Sequence, residues 1–90
     1  MEVVHRVKIL NKLGFHLRAA AQFVKTVSKF KCRVLVKSQN GHVDGKSLMN
    51  LLTLAASYGS ELVIIYQGED AKAAQAMVQD LFMNKFGEKE

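Results

Sequence analysis

The sequence predicts an α+β fold, ordered β-α-β-β-α-β-α, with the helices packed on one face of an antiparallel sheet. Three observations predict it. Apolar residues alternate with polar ones in some segments and recur every three or four residues in others. These two kinds of segment follow one another as two split βαβ halves. The 90 residues, 49% hydrophobic and 23% charged, make one small globular domain, 1–90, with no room for a second.

Val3, Val7 and Ile9 share one phase of a strand, with Arg6 and Lys8 between them. Asn11 to Phe15 reads as a loop with its tight spot at Gly14. Leu17, Ala20, Ala21, Val24 and Val27 then fall on one face of a helix. Cys32, Val34 and Val36 alternate with Arg33 and Lys37 in a second strand. Asn40-Gly41 is the sequence of a type I′ hairpin turn, which leads into a short third strand, His42 to Asp44. Ser47 caps a helix expected to run through Leu48, Leu51, Leu52 and Ala55 and to end at Tyr58-Gly59-Ser60. The apolar run Leu62 to Tyr66 suits an interior strand. Gly68-Glu69-Asp70 turns into a last helix, with Ala74, Met77, Val78, Leu81 and Lys85 on its stripe. Residues 87–90, Gly87-Glu88-Lys89-Glu90, are expected to fray.

The net charge of +5 is unevenly spread. Residues 1–46 hold 10 basic and two acidic side chains, a net +8; residues 47–90 hold three basic and six acidic, a net −3. A basic half can steer an acidic partner, a phosphate or a nucleic acid; it is equally consistent with a solvated lysine-rich face. Cys32 is the only cysteine, which excludes an internal disulfide and a CxxC redox pair, and its phase predicts a buried, inert thiol. The first ten residues carry charge where a secretory signal would be apolar, and no apolar run approaches the ~18 residues of a membrane span. A cytoplasmic location without membrane insertion is therefore expected.

A domain this small has little room for an internal cavity, so chemistry is expected on an exposed surface. His16 is the leading candidate. It stands where the first helix begins, and unpaired backbone N–H groups at such a position favour anions. Arg18, in the first turn, opposes the helix dipole, which suggests another task, such as holding an oxyanion. Without that context, His16 is simply a surface histidine at a helix start. His5 and His42 lie in strand segments with no carboxylate or thiol at ligand spacing, so both read as structural or solvent-facing. No metal and no cofactor is expected, and no phosphate-loop, dinucleotide, zinc-protease or nucleophile-elbow pattern occurs. Ser47 alone is a helix cap; a phosphate there would add a charge of about −2 at a helix N-terminus. Leu48, Met49, Leu51 and Leu52 cannot all face the core of one short helix, so some must form an exposed apolar patch.

Taken together, Gly14-Phe15-His16-Leu17-Arg18-Ala19-Ala20, the run Asp44 to Leu52, and Gly68-Glu69-Asp70 resemble the HPr family. These are the histidine-containing phosphocarriers of the bacterial phosphoenolpyruvate-dependent sugar phosphotransferase system. The resemblance spans nearly the whole chain, with the motifs in family order. It implies an open-faced β-sandwich, a four-stranded antiparallel sheet carrying three helices on one face. It implies that His16 carries the phosphoryl group on Nδ1, that Arg18 stabilises it, and that Ser47 is a regulatory phosphorylation site. Enzyme I would be the donor, enzyme II A components the acceptors, and a serine kinase/phosphorylase the regulator. Phe15, Leu17, Ala20, Lys25, Leu48, Met49 and Leu52 are the expected partner-binding residues. The protein would be a monomeric carrier with a transient phosphohistidine rather than a stand-alone enzyme. Ala19 stands where the family usually has Pro, and Asn50 where Gly is commoner. Because Ala is a good helix former, the first helix should persist.

Two alternatives remain at this point. A regulatory relative would act through Ser47 and its surface and move no sugar. A nucleic-acid-binding split-βαβ domain would use the +8 half, but the third strand lacks the basic-Gly-aromatic signature of RNA-binding sheets, and nucleic acid is not an expected partner.

Overall fold

The computed structural model describes every residue, 1–90. The elements are β1 (Glu2–Lys8), α1 (Leu17–Val27), β2 (Arg33–Ser38), β3 (Gly41–Asp44), α2 (Leu48–Leu52), β4 (Glu61–Gln67) and α3 (Ala71–Met83). The sheet order is β1-β4-β2-β3 and every pair is antiparallel. The fold is thus the expected α+β open-faced sandwich: three helices cover one face of the sheet and leave the other open. No helix is long and apolar enough to cross a membrane.

The alternation of the strands decides which side chains are covered. Val7 and Ile9, Val34 and Val36, and Leu62, Ile64 and Tyr66 point under the helices and are buried. Val4, Arg6, Lys8, Arg33 and Lys37 lie on the open face. His5 shares the covered phase. It is buried with Nδ1 3.1 Å from the Tyr66 hydroxyl. Burial pulls the imidazole below its usual range, so it stays neutral at pH 7, and burial pushes the Tyr66 hydroxyl up. Cys32 is buried as expected; burial first, then Asp70, raises its thiol and keeps it protonated. Asp70, at the start of α3, accepts from the backbone N–H groups of Lys31 (2.8 Å) and Cys32 (2.9 Å), tying that helix to the entry of β2.

Several expectations are corrected. The hairpin closes through Gln39 and Asn40, because Ser38 pairs with Gly41. Neither turn residue has a positive φ, so the turn is not type I′; Gly41 carries the unusual φ of +126° just after it. Helix α2 stops at Leu52, and Ala55 takes a left-handed φ of 48°, which breaks any helix there. The apolar period continues past the helix because Leu54 still reaches the core, now from a turn. On α1 the buried stripe is Ala19, Ala20, Phe23 and Val27, while Leu17 faces out. On α3 it is Ala71, Ala74, Val78 and Phe82, with Met77 44% exposed and Lys85 beyond the helix.

The tail expected to fray is docked. A short turn, Lys85–Gly87, drives Phe86 into the core. Lys85 and Phe86 take left-handed φ angles of 55° and 54° to do so. Such backbone costs on the order of 1–3 kcal/mol per residue and persists only where its surroundings hold it. Here the Phe86 ring packs on Phe82 at 4.9 Å and on Phe15 at 5.8 Å, and its carbonyl accepts from Gln22 at 3.2 Å. Beyond it, the Lys12 backbone N–H and ammonium both reach Glu90, at 2.6 and 2.8 Å.

The corrected stripe of α3 is testable by denaturant unfolding. Phe82→Ala should cost about 3–5 kcal/mol, as for other buried aromatics cut to Ala. Met77→Ala should stay within about 0.5 kcal/mol of wild type. Equal losses at the two positions would contradict the packing described.

Candidate functional site

His16 is held by the buried residues that precede it. Phe15, immediately before it, sits in an aromatic cluster with Phe23, Phe82 and Phe86, at ring separations of 5.8 to 6.1 Å. The Phe15 N–H donates to the Ala56 carbonyl at 2.9 Å. Gly14 takes a φ of +75°, and a Cβ there would lie 2.9 Å from that same carbonyl, so only glycine fits. Asn11, fully buried, donates from Nδ2 to the Gly14 carbonyl at 2.7 Å. The loop is thus closed on itself and clamped to the segment before β4.

The histidine then opens α1. Its backbone is extended (φ −79°, ψ −178°), and its carbonyl accepts from the Ala20 N–H at 2.8 Å. Nδ1 accepts from the Arg18 N–H at 3.3 Å, so the imidazole is the N-cap. Nε2 lies 2.6 Å from the Glu88 carboxylate. A carboxylate can only accept, so Nε2 carries the hydrogen and Nδ1 the lone pair that accepts from Arg18. These two contacts select one tautomer and turn the basic nitrogen toward the helix N-terminus. The His16 side chain is 26% exposed.

Glu88 is the residue that sequence reasoning missed. Its side chain is only 8% exposed, and Arg18 Nη2 lies 3.6 Å from the oxygen that meets His16. Its other oxygen accepts from Asn11 Nδ2 at 3.0 Å. Burial alone would raise this carboxyl. Hydrogen bonds from His16 and Asn11, with the charge of Arg18 nearby, outweigh it and hold the group below the usual carboxylate range. A Phe placed just after an amphipathic helix, followed by Gly and Glu, is the only signal that pointed to docking rather than fraying. The Asn11 side chain was likewise unforeseen; its Oδ1 is buried without a partner.

The other predicted residues divide by burial. Arg18 (65% exposed) and Leu17 (58%) are open to a partner, and so is Lys25 at the far end of α1. Phe15 and Ala20 are not: both are buried in the core, so as partner-binding residues they are corrected to supports of the site. Ser47 caps α2, with Oγ accepting from the Asn50 N–H at 3.4 Å. It follows a turn in which the Asp44 carboxylate accepts from the Lys46 N–H at 2.9 Å, while the Lys46 ammonium is drawn off to the Phe30 carbonyl at 2.7 Å. Leu51 is the buried side of α2; Leu48 and Leu52 are half-buried, and Met49 is 74% exposed. Helix α2 packs against α1. The largest surface concavity, about 710 Å³, lies by Lys8, Lys37 and the turn residues 54–60 and contains none of the predicted residues. A smaller concavity of about 440 Å³ is lined by Lys12, Leu13, Arg18, Glu88, Lys89 and Glu90, and His16 stands outside it.

Comparison with known proteins shows the family and the fold. The family model for the phosphorylation site of the HPr component of the phosphotransferase system matches residues 3–84. The phosphocarrier protein HPr of Treponema pallidum is 38% identical over 86 residues, 96% of this chain and 98% of that protein. That of Neisseria meningitidis serogroup A is 40% identical over 84 residues, 93% of this chain and 94% of that protein. The crystal structure of HPr-C-His from Thermoanaerobacter tengcongensis superimposes with a TM-score of 0.90 at 38% identity, covering 100% of this chain and 99% of that one. A basic-half domain with a helix-capping histidine, this sheet order and these relatives belongs to the HPr family of phosphotransferase-system phosphocarriers.

Proposed function

We propose that the protein accepts a phosphoryl group on Nδ1 of His16 from phosphorylated enzyme I and passes it to enzyme II A components of a sugar phosphotransferase system in the cytoplasm. One observation carries this reading: the Nδ1 lone pair accepts from the Arg18 N–H alone, at 3.3 Å, while Nε2 lies 2.6 Å from the Glu88 carboxylate. In the transfer, that lone pair attacks the phosphorus. The bond between phosphorus and the donor atom of enzyme I breaks, and its electron pair stays with that donor atom. The Arg18 N–H, which had pointed at the lone pair, is released to donate to a phosphoryl oxygen. The Arg18 guanidinium, on an exposed and flexible stem, adds a charge-assisted contact to the same group. A carrier must give up its cargo easily, which suits a shallow site with few donors. Charge also supports the assignment, since the +8 half that contains His16 speeds encounter with acidic partners without requiring tight binding.

Leu17, Met49 and the half-buried Leu48 and Leu52 supply an adaptable apolar docking surface, and Lys25, exposed in the last turn of α1, adds a basic contact. A serine kinase/phosphorylase would act at Ser47. A phosphate there adds about −2 of charge beside Leu48 and Met49, where enzyme I must lose its water to dock. The effect is local repulsion and desolvation at the contact surface, and it needs no change of fold. The carrier acts as a monomer in this scheme.

His16→Ala should abolish acid-labile labelling by enzyme I and phosphoenolpyruvate while the thermal transition persists. The loss of an N-cap costs no more than about 2 kcal/mol. Labelling equal to wild type would remove His16 from the assignment. Ser47→Asp and Met49→Asp should each slow phosphorylation by enzyme I by about tenfold or more, because a misplaced charge at an interface costs several kcal/mol. Both should melt near the wild-type temperature. Wild-type rates in both variants would put the docking surface elsewhere.

A further inference from the structure

We propose that Glu88 is a positioning residue for phosphoryl transfer: its carboxylate holds the Nε2–H of His16 and stabilises the positive charge the ring gains when Nδ1 bonds to phosphorus. The inference rests on the phosphocarrier assignment. Residue 88 lies outside the family-model match, 3–84, so it rests on contacts within this chain alone.

The charge balance gives Glu88 its task. A neutral imidazole that attacks through Nδ1 keeps its Nε2 hydrogen and becomes a phosphoimidazolium with one positive charge. The carboxylate 2.6 Å from Nε2 meets that charge as it forms, and interacts less strongly with the neutral ring. In the outward transfer the Nδ1–P bond breaks and its electron pair returns to Nδ1. With Nε2 still protonated, the leaving group is neutral imidazole; without that hydrogen it would be imidazolate, a far poorer one. Holding the hydrogen on Nε2 therefore assists both directions. No proton, oxidant or further reactant is required.

The tail is built to hold this carboxylate. Phe86 is seated in the aromatic cluster two residues earlier. Lys12 takes Glu90 two residues later, through its backbone and its ammonium. Asn11 fixes the second Glu88 oxygen, and the side chain is 8% exposed, which strengthens its interaction with the ring. Arg18 shares the Glu88 oxygen only at 3.6 Å and is 65% exposed, so it can leave for the phosphoryl group while Asn11 keeps Glu88 in place. The contact engages Nε2, not the nitrogen that reacts, so it supports the ring without covering Nδ1.

The test uses the full chain as the varied substrate of enzyme I with phosphoenolpyruvate. Glu88→Gln keeps the shape and an accepting oxygen but removes the charge; Glu88→Ala removes both. The expected result is a turnover lower by about tenfold or more in each, the smaller end of what an opposite charge within about 4–6 Å contributes. KM should stay within about twofold, and Glu88→Gln should melt near wild type. In the free protein, the His16 Nε2–H proton resonance should be protected from exchange in wild type, shifted in Glu88→Gln and lost in Glu88→Ala. Unchanged turnover in Glu88→Gln overturns the proposal. Raised turnover overturns it too, and shows that the tail obstructs the site. An effect on KM alone overturns it by assigning Glu88 to docking. Failure to label even wild type sinks the carrier assignment and the transfer role together, whereas the Nε2–H resonance, read without a partner, still reports whether the contact exists.

Discussion

Phe15 is buried so that His16 can be exposed in one orientation. The ring of Phe15 is locked among Phe23, Phe82 and Phe86, which come from α1, α3 and the tail. Its backbone is bonded to Ala56, on the segment between α2 and β4. One side chain and one amide therefore gather most of the covering layer around the residue that precedes the histidine. Because successive residues at a helix start point in different directions, fixing Phe15 inward directs His16 outward as the cap of α1. The rest follows from that cap: the lone pair on Nδ1, the Arg18 amide beside it, and the Glu88 carboxylate behind it.

The fold was legible in the sequence wherever burial follows a period. Alternation marked β1 and β2, the hairpin dipeptide led to β3 and a continuous apolar run marked β4; the buried phase of β1 explains even His5, a polar residue accepted into the core through the Tyr66 hydroxyl. The apolar period of residues 48–55 misled, because Leu54 reaches the core from a turn and Ala55 has a backbone no helix permits. Asn40-Gly41 marked a hairpin but not its geometry: Gly41 supplies its positive φ one position later than a type I′ turn needs.

The site was half legible, for a similar reason. His16 and Arg18 stand at a helix start, a local feature that sequence displays directly. Phe15 and Ala20 were among the expected partner-binding residues, yet closeness in sequence to the histidine says little about side-chain direction, and both point inward. Glu88 comes to His16 across 72 residues of chain. Its neighbourhood, glycine and alternating charge, has the composition of a frayed end, and only tertiary packing of Phe86 brings it back. Long-range ion contacts of this kind leave no periodic trace.

What the molecule presents is an imidazole whose two nitrogens have been given different partners: a backbone amide on one and a carboxylate on the other. The central claim is that this division decides where phosphorus binds. The direct measurement is the phosphorus–nitrogen coupling in the 15N-labelled protein after reaction with enzyme I and phosphoenolpyruvate. The account predicts one-bond coupling to Nδ1 of His16, with Nε2 still carrying its hydrogen. Coupling to Nε2, or phosphorus on any other side chain, would contradict it.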